Sequence, residues 1–196
     1  VGTYSFMSTL NDDGVHPVRW NPCQRSANPI DIRLSGVPLS SPYGEALTQA
    51  VAEVARATKL NITMSGATGF MPTGEALQDP TYKDGEITVF VGSRSSSLWA
   101  GASAGTVGIG GFGYVAKTDT IKVGFVVVDQ QAADRMTLPQ KTEMFMHELG
   151  HVVNLGHVSD RTQVMNPTLE ELTAWGDGDL LGLARVGADS GCTTSG

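Results

Sequence analysis

Three of the four histidines in this 196-residue chain fall within eleven positions, in the run His147-Glu148-Leu149-Gly150-His151-Val152-Val153-Asn154-Leu155-Gly156-His157. No other stretch constrains the fold as much. On a helix, residues i and i+4 sit one turn apart on the same face, so His147 and His151 can aim ring nitrogens at one point. His157 cannot join them from the same straight helix, so the helix has to stop and the chain turn back. Asn154 suits the stop, because after glycine asparagine best tolerates the left-handed conformation. Gly156 then loosens the return. Three imidazoles leave the fourth place of a tetrahedral ion open to water, as catalytic zinc requires. Glu148 is offset enough to reach such a water without being a ligand.

The remaining periodicities place this run in an α/β frame. Pro17 to Trp20 and Ile30 to Leu34 read as extended segments separated by a turn-rich stretch. Ser41 and Pro42 form an N-cap and first-turn pair, and Leu47, Ala50, Val51 and Val54 recur behind them at helical spacing, which predicts a helix over 42–58. Asn61 to Met64 is a short strand candidate and 65–84 reads as loop. Glu86 to Val91 alternates as a strand does. Residues 93–113 are rich in Gly and Ser and read as an open loop leading to an exposed strand. Ile121 to Val128 is a β-branched run suited to a central strand covered on both faces. A helix should begin near Pro139 and continue through His151, and a short one should run from 177 to 186 with Asp177 as N-cap. The order predicts an α/β sandwich with a mostly irregular C-terminal part, in one domain.

Net charge narrows the partners. At −7, with a pI of 4.9, the chain has nothing to neutralise phosphate in bulk, which argues against nucleic acid. No stretch is long and apolar enough to span a bilayer. Val1 to Leu10 lack a basic start followed by an apolar run, so no signal peptide is read there, and the mature form of a secreted precursor is expected. Charged residues at 17% and 24 glycines fit a secreted surface of loops and hydroxyl side chains. An even count of cysteines, Cys23 and Cys192, favours a disulfide. The alternative is that Cys23, in Asn21-Pro22-Cys23, is a latency thiol that caps a metal.

The 147–157 run resembles the metzincin signature H-E-x-x-H-x-x-G-x-x-H followed by a Met-turn, and is most similar to matrixins (matrix metalloproteinase-like enzymes) and their smaller bacterial relatives. After His157 come Asp160 and then Met165-Asn166-Pro167, matching the matrixin habit of a nearby Asp and Met-x-Pro. Asp179-Leu180-Leu181-Gly182-Leu183 is similar to the pattern of the family's C-terminal helix. Asn154 stands for the family glycine, Val158 for the serine after the third histidine, and Leu169 where matrixins often carry a tyrosine. No tyrosine lies two residues after Met165, against a switching ligand of the astacin or serralysin kind.

The resemblance implies a twisted, mostly parallel sheet with an antiparallel edge strand, two long helices, an upper subdomain over 1–154 and an irregular lower one with a short helix over 155–196. It implies a secreted zinc endopeptidase, expected to be a monomer, that hydrolyses extended protein substrates. One zinc on His147, His151 and His157 would carry the water, with Glu148 as general base and Met165 as the floor beneath the histidines. Substrate would pair with an edge strand over 110–116 (Gly110, Gly111, Phe112, Gly113, Tyr114) and place one side chain in a pocket bounded by 166–172 (Pro167, Thr168, Leu169). A second, structural zinc is not expected, since only His16 is left over.

The chain carries weaker signals as well. Gly108 to Gly113 matches GxGxxG, but Tyr114 to Val123 is strand-like where a nucleotide loop would open a helix. Asn61-Ile62-Thr63 is a glycosylation sequon. Asp79, Asp84, Glu86 and Asp119 lie in or beside loops and leave room for a calcium ion. Glu170 or Glu171 could replace His157 as third ligand, as in gluzincins. A binding module that keeps the metal for stability, and an ester or amide hydrolase using the same zinc, also remain open.

Overall fold

The computed structural model describes residues 3–66, 69–75, 78 and 81–193. They form a six-stranded sheet, mostly parallel, with five α-helices. In chain order these are β1 (Arg19–Trp20), α1 (Pro22–Ala27), β2 (Ile30–Ser35), α2 (Pro42–Thr58), β3 (Ile62–Met64), β4 (Glu86–Gly92), β5 (Gly108–Val115), β6 (Thr120–Asp129), α3 (Gln130–Ala133), α4 (Leu138–Val152) and α5 (Asp177–Val186).

Strands β3, β2, β4 and β6 pair in that order, all parallel. Strand β1 adds to the start of β6, also parallel. Strand β5 runs antiparallel along β6 from Thr120 to Val128. It overlaps the register of both β4 and β1, so it occupies the opposite edge of β6. Among the described residues β6 is its only partner strand, and its outer edge is open.

Helices α2 and α4 pack against each other, and their buried faces join Ile30, Ile32, Leu34, Val126 and Val128 in one core cluster. That cluster continues into Val164, Met165, Trp175, Leu183 and Val186, so the C-terminal part shares it. Strand β6 is buried on both sides, with Val126 and Val128 in the cluster and Val123 and Val127 buried on the other face. This is what a β-branched run without alternation requires.

Local chemistry sets the helix ends. Ser41 caps α2 through Gly44 N, and Lys59 closes it at φ +56°. Helix α4 starts one residue before Pro139 because Thr137 and Gln140 form a reciprocal capping box.

Three expectations are corrected. The turn-rich stretch after Trp20 contains α1, started by Asn21 and Pro22 but, at six residues, too short to show a period. Gly176, not Asp177, is the N-cap of α5, because the Asp179 carboxylate reaches back to Gly176 N at 3.1 Å. Strand β5 begins at Gly108, inside the stretch read as loop. A Cβ at Gly110 would stand 2.2 Å from the Glu148 carbonyl oxygen, so the strand is glycine-rich in order to lie against α4. A disulfide between Cys23 and Cys192 ties α1 to the segment after α5, and it removes Cys23 as a free thiol.

Candidate active site

Helix α4 is buried along every face from Lys141 to Val152, and it delivers His147, Glu148 and His151 to the floor of a cleft. Asn154, at φ +84°, turns the chain out of the helix and brings His157 back. The three Nε2 atoms then lie 3.0 Å (His147 to His157), 3.1 Å (His147 to His151) and 3.1 Å (His151 to His157) apart.

The hydrogen bonds of the other ring nitrogens fix what these atoms are. His147 Nδ1 lies 2.7 Å from Val164 O, and His151 Nδ1 lies 2.8 Å from Leu155 O. A carbonyl oxygen only accepts, so both Nδ1 atoms carry the hydrogen and, in the neutral ring, Nε2 holds the lone pair. Burial keeps the rings neutral: it is the main cause that lowers His147 to about 4 and His151 to about 3, and it lowers His157 as well. At least two lone pairs therefore converge where, without a shared cation, they repel. In a tetrahedral set with nitrogens about 2.05 Å from an ion, the nitrogens stand about 3.3 Å apart. The observed separations are within a few tenths of that, so the triad can hold a metal ion. Among the described residues no other group of His, Cys, Asp or Glu does so.

Met165 explains Gly150. A Cβ at Gly150 would meet the Met165 sulfur at 2.4 Å, so the thioether lies against the helix between the two histidines. The turn carrying Met165 is anchored by Asp179, whose buried carboxylate accepts from Val164 N at 2.6 Å and Met165 N at 3.3 Å. Because Val164 O takes the His147 proton, Asp179 sets that ring through one residue.

Glu148 is buried beside the triad, with Oε1 2.7 Å from where a Gly108 Cβ would be. Burial pushes its carboxyl up to about 8, opposed by a hydrogen bond from the Gly110 backbone.

The cleft has a volume of about 970 Å³. Gly110, Pro167, Thr168 and Leu169 line it, whereas Gly111, Phe112, Gly113 and Tyr114 continue along β5 beyond it. The rest of the strand-side wall comes from Val107 to Ile109 and the loop from Leu98 to Thr106, and Met7 also lines the cleft. Two polar anchors brace these walls. Arg94 donates to the carbonyls of Ser103 (2.9 Å) and Thr106 (2.7 Å) and stacks on Trp99. Glu143, buried one turn before His147, accepts from Glu170 N at 3.1 Å. No local pattern marks Met7 or Glu143, since each acts on a segment distant from it in sequence, and Arg94 acts across the loop that follows it.

The weaker candidates are placed elsewhere. Strand β5 is followed by a turn and β6, so no helix opens behind the glycines for a phosphate. Glu170 pairs with Arg161, and neither it nor Glu171 joins the histidine group. Asp79 lies outside the described residues. Asp84 pairs with Arg25 and Lys122, Glu86 pairs with Arg33, and with Asp119 they form no group of three. Asn61 turns its amide to the carbonyls of Arg25 and Ser26. His16 pairs with Asp13.

No protein-family model matches the sequence. A comparison with curated proteins finds no match either. No described helix is long and apolar enough to cross a membrane.

Proposed function

We propose that the chain is a secreted zinc endopeptidase of the metzincin type, most similar to matrixins. One observation carries the reading. Two buried imidazoles, their Nδ1 hydrogens taken by backbone carbonyls, present Nε2 with that of His157 to a single point on a cleft floor beside a buried carboxylate. Imidazole donors suit several transition metals. The His-Glu-x-x-His spacing and the absence of any need for redox chemistry favour zinc. When bound, zinc supplies a Lewis acid that polarises a carbonyl and acidifies water.

The chain's own residues do the rest. Glu148 takes a proton and hands it on to the leaving amine. Burial alone raises its carboxyl to about 8, and a cation held by the three histidines would favour the carboxylate, so the group could accept a proton and give it up again. The open edge of β5 offers backbone groups to an extended peptide, by strand addition. Pro167, Thr168 and Leu169 bound a pocket for one side chain. The Cys23–Cys192 disulfide suits an oxidising compartment.

The test is cleavage of an unfolded protein by zinc-loaded enzyme. Glu148→Ala should keep its zinc and lose roughly 10²–10⁴-fold in rate, the usual share of a general base. Chelation should abolish cleavage and zinc should restore it. If the zinc-loaded native protein cleaves no unfolded substrate and Glu148→Ala behaves identically, the proposal fails and a metal-stabilised binding module takes its place.

A further inference from the structure

Asn154 does more than end α4. Its backbone occupies the left-handed region that glycine prefers, yet its side chain is fully buried and makes three hydrogen bonds. Oδ1 accepts from Ser8 N at 2.8 Å, and Nδ2 donates to Ser8 O and to Val18 O, each at 2.7 Å. The amide thus pairs with both backbone groups of Ser8, as a neighbouring strand would. From there the N-terminal segment runs along the turn that carries the third histidine. Met7 N donates to Asn154 O at 3.2 Å, Phe6 bridges Leu155, and Gly156 N donates to Ser5 O at 2.8 Å. Ser5 Oγ donates to the carbonyl of His157 itself at 2.8 Å. The approach is so close that a Cβ at Gly156 would lie 2.6 Å from Ser5 Oγ. The carbonyl of Leu155, in the middle of this pairing, is the one that holds His151 Nδ1.

We propose that Ser5–Ser8 is a built-in support of the metal site and that Asn154 is the positioning residue that couples the two. Two of the three rings depend on it: His157 through the Ser5 and Gly156 contacts, and His151 through Leu155. The proposal rests on the metal-site reading above. A residue needed only to stop the helix would be replaced by glycine without loss, because glycine adopts the same φ with less strain. A coupling residue would not.

The experiment measures zinc affinity and release to a competing chelator in the full chain, together with the visible spectrum of the Co²⁺-loaded protein. Asn154→Gly should weaken zinc by about 10–100-fold, the usual effect of losing a partner that orients a ligand. Ser5→Ala, on the surface, should cost about fivefold, the worth of one net hydrogen bond. Both should distort the Co²⁺ spectrum, which a purely structural weakening would leave alone. Native affinity and an unchanged spectrum in both variants overturn the coupling. Should Asn154→Gly not fold, Ser5→Ala decides alone by the same criterion. His157→Ala separates the two readings: native zinc affinity in that variant sinks the metal site itself, whereas loss there with none in Asn154→Gly and Ser5→Ala sinks only the coupling.

Discussion

Replacing Asp179 with asparagine keeps the shape of a buried side chain and changes one oxygen into a donor. Asp179 Oδ2 accepts from Val164 N at 2.6 Å and Gly176 N at 3.1 Å, and Oδ1 accepts from Met165 N at 3.3 Å. In the better orientation of Asp179→Asn, the amide oxygen keeps the first two bonds and the NH₂ faces Met165 N–H, donor against donor. One bond to a charged acceptor, worth about 1.5–3 kcal/mol, is lost, and two others fall to the neutral range of about 0.5–1.5 kcal/mol. The sum is about 5 kcal/mol. Against it stands desolvation: burial raises the Asp179 carboxyl above its usual range, so the charge itself costs stability that asparagine recovers. The net destabilisation should be about 2 kcal/mol, read by urea unfolding of metal-free protein. Slack at Val164 should also free the His147 ring, because Val164 O is its acceptor. Zinc affinity should fall about tenfold, as for other partners that orient a ligand. A variant within about 0.5 kcal/mol of native, the ordinary scatter of a neutral substitution, refutes the energetic account. Lost stability with native zinc affinity refutes the link from Asp179 through Val164 to His147.

Gly110→Ala places a methyl 2.2 Å from the Glu148 carbonyl oxygen, backbone against backbone, so β5 and α4 must part. We expect a loss of about 1–3 kcal/mol in thermal unfolding, with a larger fall in kcat than in metal content. Tyr43 is held above its usual pKa of about 10 by burial and then by its 2.6 Å bond to Asp134. A folded pKa above the unfolded one leaves this contribution whole below pH of about 10 and removes it as pH rises through the folded value. Titration of phenolate absorbance should show a late-titrating component that Tyr43→Phe removes. Reducing the disulfide, whose ends are 169 residues apart, should cost about 5 kcal/mol in the chain-entropy picture, seen as a lower midpoint in denaturant. Removing zinc should raise hydrogen exchange first in 5–8 and 155–166, with β2, β4 and α2 still protected.

The parts of the molecule that were legible in the sequence are those whose cause is local. Ser41, Pro42 and the period behind them gave the bounds of α2, and the i, i+4 spacing of His147 and His151 put both rings on one face whatever surrounded them. Asn154 announced the turn because few residues accept a left-handed φ. What stayed hidden depends on pairings across the chain. Strand β5 was expected over 110–116 from the resemblance, but its start at Gly108 stayed hidden, because four glycines argue against a strand until α4 is laid against it. Asn154 and Ser8 are 146 residues apart, and nothing near either one names the other. Met7 enters the cleft for the same reason. Helix α1 was lost to its length: the Asn21-Pro22 start is the same device as Ser41-Pro42, with no second turn to confirm it.

These long-range supports share a logic. Val164 O orients His147 and is carried by Asp179 from α5. Leu155 O orients His151 and is paired with Phe6 from the N-terminal segment. His157 is held by Ser5 on one side, and Val158 N donates to Met165 O at 3.1 Å on the other. The rings of His147 and His151 are thus oriented by backbone carbonyls, and the backbone of His157 is held in place, by groups whose own positions are set by segments near the ends of the chain. The disulfide then joins α1 to the residues after α5, close in sequence to both supports. A helix brings two imidazoles together at no cost in chain entropy beyond that of the helix itself. Adding a third from an irregular segment means ordering that segment, a loss that the burial of Leu155, Val164 and Met165 in the common core offsets in part. Building the order of both termini into the turn is how this chain meets that cost, and it makes the geometry of the histidines a property of the whole fold rather than of the motif.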